Sequence, residues 1–130
     1  MWEKHIEIRW RDLDGSRHVN NAVYLTYLEE ARDEFFTHLL GHDRVSFMVA
    51  RHISIDFESG LTQDDDEAVV RLRVARLGTS SVTTSETIAA GSDGRLAARA
   101  ETVMVHCDEE RILSRPFPAD ARMLLEGALE

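Results

Sequence analysis

Two aspartates, a histidine and two asparagines crowd into ten residues, Asp12-Leu13-Asp14-Gly15-Ser16-Arg17-His18-Val19-Asn20-Asn21. Each could do chemistry. A carboxylate such as Asp14 can attack an electrophilic carbon or take a proton from water. His18 could orient substrate or water, or pin the loop to the adjoining helix by a hydrogen bond. Asn20 or Asn21 suits a helix N-cap. A helix that begins there presents unpaired backbone amides and the positive end of its dipole, the requirement for holding a developing oxyanion. Asp12 reads as structural, capping the loop or pairing with an arginine. In isolation Asp14-Gly15-Ser16 is simply a turn.

The elements that must position these residues emerge from periodicity. Residues 4–10 alternate, with Ile6, Ile8 and Trp10 on one face, and read as a half-buried strand. From Asn21 the period changes. Val23, Tyr24, Tyr27, Leu28, Ala31, Phe35 and Leu39 recur three and four apart, and Gly41 is a suitable stop, so a helix of about five turns spans roughly 21–40. Its apolar arc is broad, which predicts cover on several sides. Residues 47–57, 68–77, 80–90 and 95–107 then read as strands in meander-like succession, with a turn at Ser92-Asp93-Gly94, and residues after Pro118 suggest a short terminal helix. One long helix and about five antiparallel strands predict an α+β fold, a sheet curled around the helix, as a single domain over residues 1–130. Such a sheet has free edges, so edge pairing between copies predicts a homodimer or a dimer of dimers.

Composition narrows the function. At 43% hydrophobic and 30% charged residues the chain matches a globular domain. The net charge of −9 argues against nucleic acid as a partner, because phosphate binding needs a basic face. No apolar run reaches membrane-spanning length and the start lacks a signal-peptide core, so no membrane association and a cytoplasmic location are expected. Cys107 is the sole cysteine and has no obvious base beside it. The histidines lack metal-ligand spacing. His38 and His42 are four apart, but Gly41 interrupts the helix between them, so no metal is expected.

Residues 9–32 resemble the signature of the hotdog-fold acyl-CoA thioesterases of the 4-hydroxybenzoyl-CoA thioesterase-like group. The resemblance is carried by Arg9, Asp12, Asp14, His18, Val19, Asn20, Asn21, Tyr24, Leu25, Tyr27, Leu28, Glu29, Glu30, Ala31 and Arg32, and later by Leu77-Gly78-Thr79-Ser80-Ser81-Val82-Thr83. It implies the hotdog fold and hydrolysis of an acyl-CoA or acyl-carrier-protein thioester. Coenzyme A would enter as part of the substrate, with no separate cofactor. In that family the second aspartate, here Asp14, is the nucleophile or the general base, and the backbone amide at the position of Asn21 is the oxyanion donor. Two residues depart from the pattern: Arg17 replaces the usual glycine before His18, and Ser16 stands where plant relatives carry asparagine.

Tyr24 and Tyr27 are core or pocket wall. Glu29 and Glu30 cannot both be solvated if the helix is wrapped. One of them is expected to meet Arg32 or a partner chain, and Glu29 is a candidate substrate contact. Arg73 and Arg76, with Arg71, line a strand leading to Ser80, and could hold the phosphates or pantetheine of coenzyme A; a solvated strand face is the plainer reading. The competing function is a non-catalytic acyl-CoA-binding hotdog domain, which the presence of Asp14 disfavours. A hotdog hydratase comes last, because its acid–base pattern is absent.

Overall fold

A computed structural model describes residues 1–130. In chain order the elements are β1 (Trp2–Glu7), α1 (Asn21–Leu40), α2 (His42–Val45), β2 (Met48–Phe57), β3 (Glu67–Leu77), β4 (Ser81–Ala90), β5 (Leu96–His106) and α3 (Ala119–Ala128). Short 3-10 turns occupy Trp10–Asp12 and Gln63–Asp65. The bounds of α1 agree with those expected from periodicity. Asn20 is its N-cap, with the side-chain oxygen accepting from the Ala22 amide at 2.8 Å, and Gly41 ends it at φ 92°.

The five strands form one antiparallel sheet in the order β1-β3-β4-β5-β2. Only β3, β4 and β5 run as a meander. β2 crosses to the far edge and pairs with β5, so the simple succession expected from the sequence is corrected. The strand expected at 4–10 is displaced toward the terminus. Pairing with β3 ends at Glu7, the chain turns at Trp10, and the Trp10 side chain is 78% exposed.

α1 lies against the sheet on Tyr24, Tyr27, Leu28, Ala31, Arg32, Phe36 and Leu40. Tyr24, Tyr27, Leu28 and Ala31 join Val70, Leu72, Ile88 and Ala98 in one apolar cluster. Phe36 and Leu40 join Val74, Val82, Phe117 and Leu125 in a second, which α3 closes. The outer face of α1 carries no cover in the single chain. Glu29 and Glu30 are both exposed there in the single chain, where the helix is covered on one side only. Arg32 meets neither. It is 3% exposed and reaches into the sheet, where Nη1 donates to Glu86 Oε2 of β4 (3.0 Å) and to Thr102 Oγ1 of β5 (3.1 Å). Thr102 in turn donates to Glu86 Oε1 at 2.6 Å. Burial raises the Glu86 pKa, and the Arg32 charge opposes that rise.

Candidate active site

The loop between β1 and α1 is a hairpin-like excursion. Leu13 bridges Val19, the Asp14 amide donates to the His18 carbonyl (2.9 Å), and the Arg17 amide donates to the Asp14 carbonyl (3.0 Å). Closing this turn puts Arg17 at φ 62°, in the left-handed region. Glycine adopts that region freely, whereas a side chain there costs roughly 1–2 kcal/mol. The departure from the family pattern at Arg17 is therefore a strained backbone position.

Hydrogen bonds at Asp12 and Val19 fasten the loop to its neighbours. Asp12 accepts from the Arg9 amide (3.0 Å) and from the Tyr27 hydroxyl (2.7 Å), both at Oδ2. Its role is structural, as expected, though its partner is the backbone of Arg9 together with a tyrosine. Burial, then Asp12, pushes the Tyr27 hydroxyl pKa up. The Val19 amide donates to the Leu61 carbonyl at 2.8 Å, and the Leu61 amide donates to the Tyr24 hydroxyl at 3.1 Å. Arg95 then clamps the 59–65 segment, donating to the Gly60 carbonyl (2.8 Å), to Ser59 Oγ (3.2 Å) and to Asp65 Oδ2 (2.9 Å).

Asp14 is exposed, and its carboxylate is ordered from one side. Oδ1 accepts from both the amide (2.9 Å) and the hydroxyl (2.5 Å) of Ser16, while Oδ2 makes no hydrogen bond. The Ser16 hydroxyl, followed by the Ser16 amide, holds the Asp14 pKa below the ordinary carboxylate value. Ser16 is thus the carboxylate's main partner, a role not evident from its place in the motif. His18 extends the chain of contacts: Nδ1 donates to the Ser16 carbonyl (3.1 Å), with Ser16 Oγ 3.3 Å away. Its ring packs on Gly60, where an added Cβ would lie 2.6 Å from His18 Cδ2. Nothing in the sequence around Gly60 marked it as part of this site.

At the helix start Asn20 satisfies the Ala22 amide through its side chain and the Val23 amide through its carbonyl (2.9 Å). The Asn21 amide donates to no group of the chain. Asp14, His18, Asn21 and Tyr24 line one cavity of about 340 Å3, together with Phe57 and Gly60. A larger cleft of about 830 Å3 opens on the other side of Asp14, Ser16 and His18, toward Trp10 and Gln63.

The remaining candidates lie elsewhere in the chain. Glu29 is on the exposed face of α1, two turns beyond Asn21, beside a separate apolar depression lined by Arg32, Phe36 and Met48. Arg73 donates to the Glu130 carbonyl, and Arg76 pairs with Glu101. Ser80 is in the β3–β4 turn, where its carbonyl accepts from the His106 amide. All three stand toward the end of β3 remote from the Asp14 loop, so the fold does not gather them with Asp14. Cys107 is buried and donates its thiol to the Phe47 carbonyl at 2.9 Å; burial pushes its pKa up, the opposite of an activated thiol. No three His, Cys, Asp or Glu side chains are gathered as metal ligands. No helix is long and apolar enough to cross a membrane.

The model of the thioesterase-like superfamily matches residues 8–125. Among solved structures, a thioesterase from Thermus thermophilus complexed with coenzyme A and Zn is 29% identical, with a TM-score of 0.87 over 98% of this chain and 92% of that one. A putative acyl-CoA thioesterase from Xanthomonas campestris is 33% identical, with a TM-score of 0.76 over 88% of this chain and 97% of that one. Slr0204, a 1,4-dihydroxy-2-naphthoyl-CoA thioesterase from Synechocystis, shares the fold, at 20% identity and a TM-score of 0.82 over 95% of this chain and 94% of that one. No curated protein matches the chain. With the family matched across nearly its whole length, and with this sheet and helix, the chain belongs to the thioesterase-like superfamily and is a hotdog-fold thioester hydrolase.

Proposed function

We propose that the chain hydrolyses acyl-CoA thioesters, with Asp14 as the attacking carboxylate and the Asn21 backbone amide as an oxyanion donor. One observation carries this reading: a carboxylate with a free oxygen and a helix-start amide with no partner line the same cavity. The Tyr24 and Phe57 rings, 5.2 Å apart between centroids, supply apolar wall for an acyl group.

Asp14 Oδ2 attacks the thioester carbonyl carbon, and the Asn21 amide, backed by the helix dipole, receives the negative charge that develops on oxygen. The C–S bond then breaks. A thiol ionises near pH ~8.5, so the thiolate can leave without a general acid and take its proton from water. Water cleaves the resulting mixed anhydride, releasing the acid and restoring the Asp14 carboxylate. In the alternative, Asp14 takes a proton from an attacking water. In either role the Ser16 hydrogen bonds keep the Asp14 carboxylate ionised. His18 orients Ser16 and through it Asp14. Acyl-carrier-protein thioesters present the same reacting carbon, and a homodimer is the expected working unit.

The test is thiol release over short, medium, long and aromatic acyl-CoAs, with Asp14→Asn beside the unmodified protein. Asp14→Asn should lower turnover roughly 100-fold or more, because the amide keeps the shape but can neither attack as an anion nor accept the proton. Asp12→Asn should cost less activity. No thiol release from any substrate would favour a binding domain instead.

A further inference from the structure

We propose that the cleft on the Trp10 side of Asp14 binds the nucleotide end of coenzyme A, recognised by Trp10, Arg11 and Arg17. The inference rests on the thioesterase reading and extends it to the part of the substrate that does not react. Asp14, Ser16 and His18 form the wall between two depressions. The smaller holds Asn21, Tyr24 and Phe57, and the larger is bounded by Trp10, Arg11, Arg17, Gln63 and Asp64. A thioester whose carbonyl lies at that wall sends its acyl group one way and its pantetheine arm the other.

The chemistry of the larger cleft suits a phosphorylated nucleotide. Ten of the fourteen arginine side chains hydrogen-bond or pair within the chain. Those of Arg11 and Arg17 do neither, and both face this cleft. The cleft also carries the Asp14 and Asp64 carboxylates, so the two unpaired guanidiniums are what it offers to a phosphate, against those charges and the chain's net −9. Guanidinium groups bind phosphate oxygens in a planar, two-pronged geometry. Arg17 is also the residue at φ 62°, where glycine would be free of strain; an arginine in that place is explained by what its side chain does. Trp10, 78% exposed, is a flat aromatic face on which a purine can stack. Gln63 and Asp64 bring acceptors for a base amino group. A carrier protein would offer acidic side chains to the arginines, but it has no base for the indole, so the combination favours free acyl-CoA.

Two measurements test this on the full chain. Desulfo-coenzyme A, which has no thioester to hydrolyse, should quench tryptophan fluorescence saturably, and Trp10→Phe should abolish the quench. Its affinity should fall about tenfold in Arg11→Gln and in Arg17→Gly, and should weaken with added salt, as expected where cations meet phosphates. The second measurement compares kcat/KM for an acyl-CoA with that for the same acyl group on N-acetylcysteamine. This ratio should be large in the unmodified protein and fall about tenfold in each variant, chiefly through KM. Arg17→Gly should raise Tm as it relieves the turn, so its weaker binding would not be misfolding. Equal kcat/KM on the two thioesters, or a ratio unmoved by both substitutions, would overturn the proposal. So would preferred hydrolysis of acyl-carrier protein with no quench by desulfo-coenzyme A. A quench without hydrolysis of any thioester would instead retain the nucleotide site and remove the thioesterase reading.

Discussion

The Ser16 hydroxyl lies 2.5 Å from Asp14 Oδ1 and donates to it, leaving Oδ2 as the only carboxylate oxygen of Asp14 without a partner. This contact both aims the carboxylate and lowers its pKa below the ordinary 3.8. The hydrogen bond favours the anion, so Asp14 stays ionised above its folded pKa, and activity that depends on the anion is lost only as pH falls through that value. The acid limb of kcat/KM should therefore fall below pH 3.8 for the unmodified protein. Ser16→Ala keeps the backbone donor and removes the hydroxyl, so the limb should move to higher pH. An unmoved limb in Ser16→Ala would detach Ser16 from the reaction.

Arg32 and Glu86 form the one deeply buried ion pair, with side chains 4% and 0% exposed. Removing one charge strands the other in the core, at a cost of about 3–5 kcal/mol. Glu86→Gln, which alters the charge and little of the shape, should lower Tm by on the order of 10 °C. Replacing both partners with apolar residues, Arg32→Met with Glu86→Leu, should restore most of that loss. Calorimetry on the single and double variants decides it, and additive losses would contradict the pairing.

β2 is paired on one side only, with β5, and its free edge carries Val49 and Phe57, 38% and 47% exposed. Unpaired backbone groups on a ten-residue strand favour pairing with a second copy. Light scattering at micromolar concentration should give twice the 14.8 kDa chain mass, or four times for a dimer of dimers. A monodisperse single-chain mass would refute edge pairing.

Helix α1 was legible in type and approximate extent, because an asparagine cap and Gly41 punctuate a long apolar period and both act locally. In the loop, Asp14 and His18 stood out by residue type and spacing, whereas Ser16 as the partner of the Asp14 carboxylate did not, although it lies only two residues away. Trp10 misled because alternation continues past the last residue that β3 pairs, and a side-chain period carries no information on where a ladder ends. The partners of Arg32 stood 54 and 70 residues away, across two strands whose order the chain does not spell out. The same holds for Arg73 and Arg76. They share one strand, but their odd spacing fits one face only through the bulge between Val74 and Arg76, and only the sheet places them at the far end of β3 from Asp14.

Gly60 leaves the space that the His18 ring fills. A Cβ there would stand 2.6 Å from His18 Cδ2, closer than any tolerated contact. Gly60 is held by Arg95 through its carbonyl, so the backbone has little room to retreat and the ring must swing instead. His18 then loses its bond to the Ser16 carbonyl, and Ser16 loses the order it passes to Asp14. Displacing a reacting group by about 1 Å can cost up to about 100-fold, and one contact removed this loss should be smaller. Gly60→Ala should therefore lower kcat roughly tenfold, within that bound, while Tm changes little because the loop is exposed. The control is His18→Ala, which removes the ring that Cβ would strike. If His18 transmits the effect, Gly60→Ala should cost almost nothing further in that background, a non-additivity expected of residues in direct contact. An equal loss in both backgrounds would place the effect of Gly60 elsewhere and remove His18 from the positioning of the carboxylate.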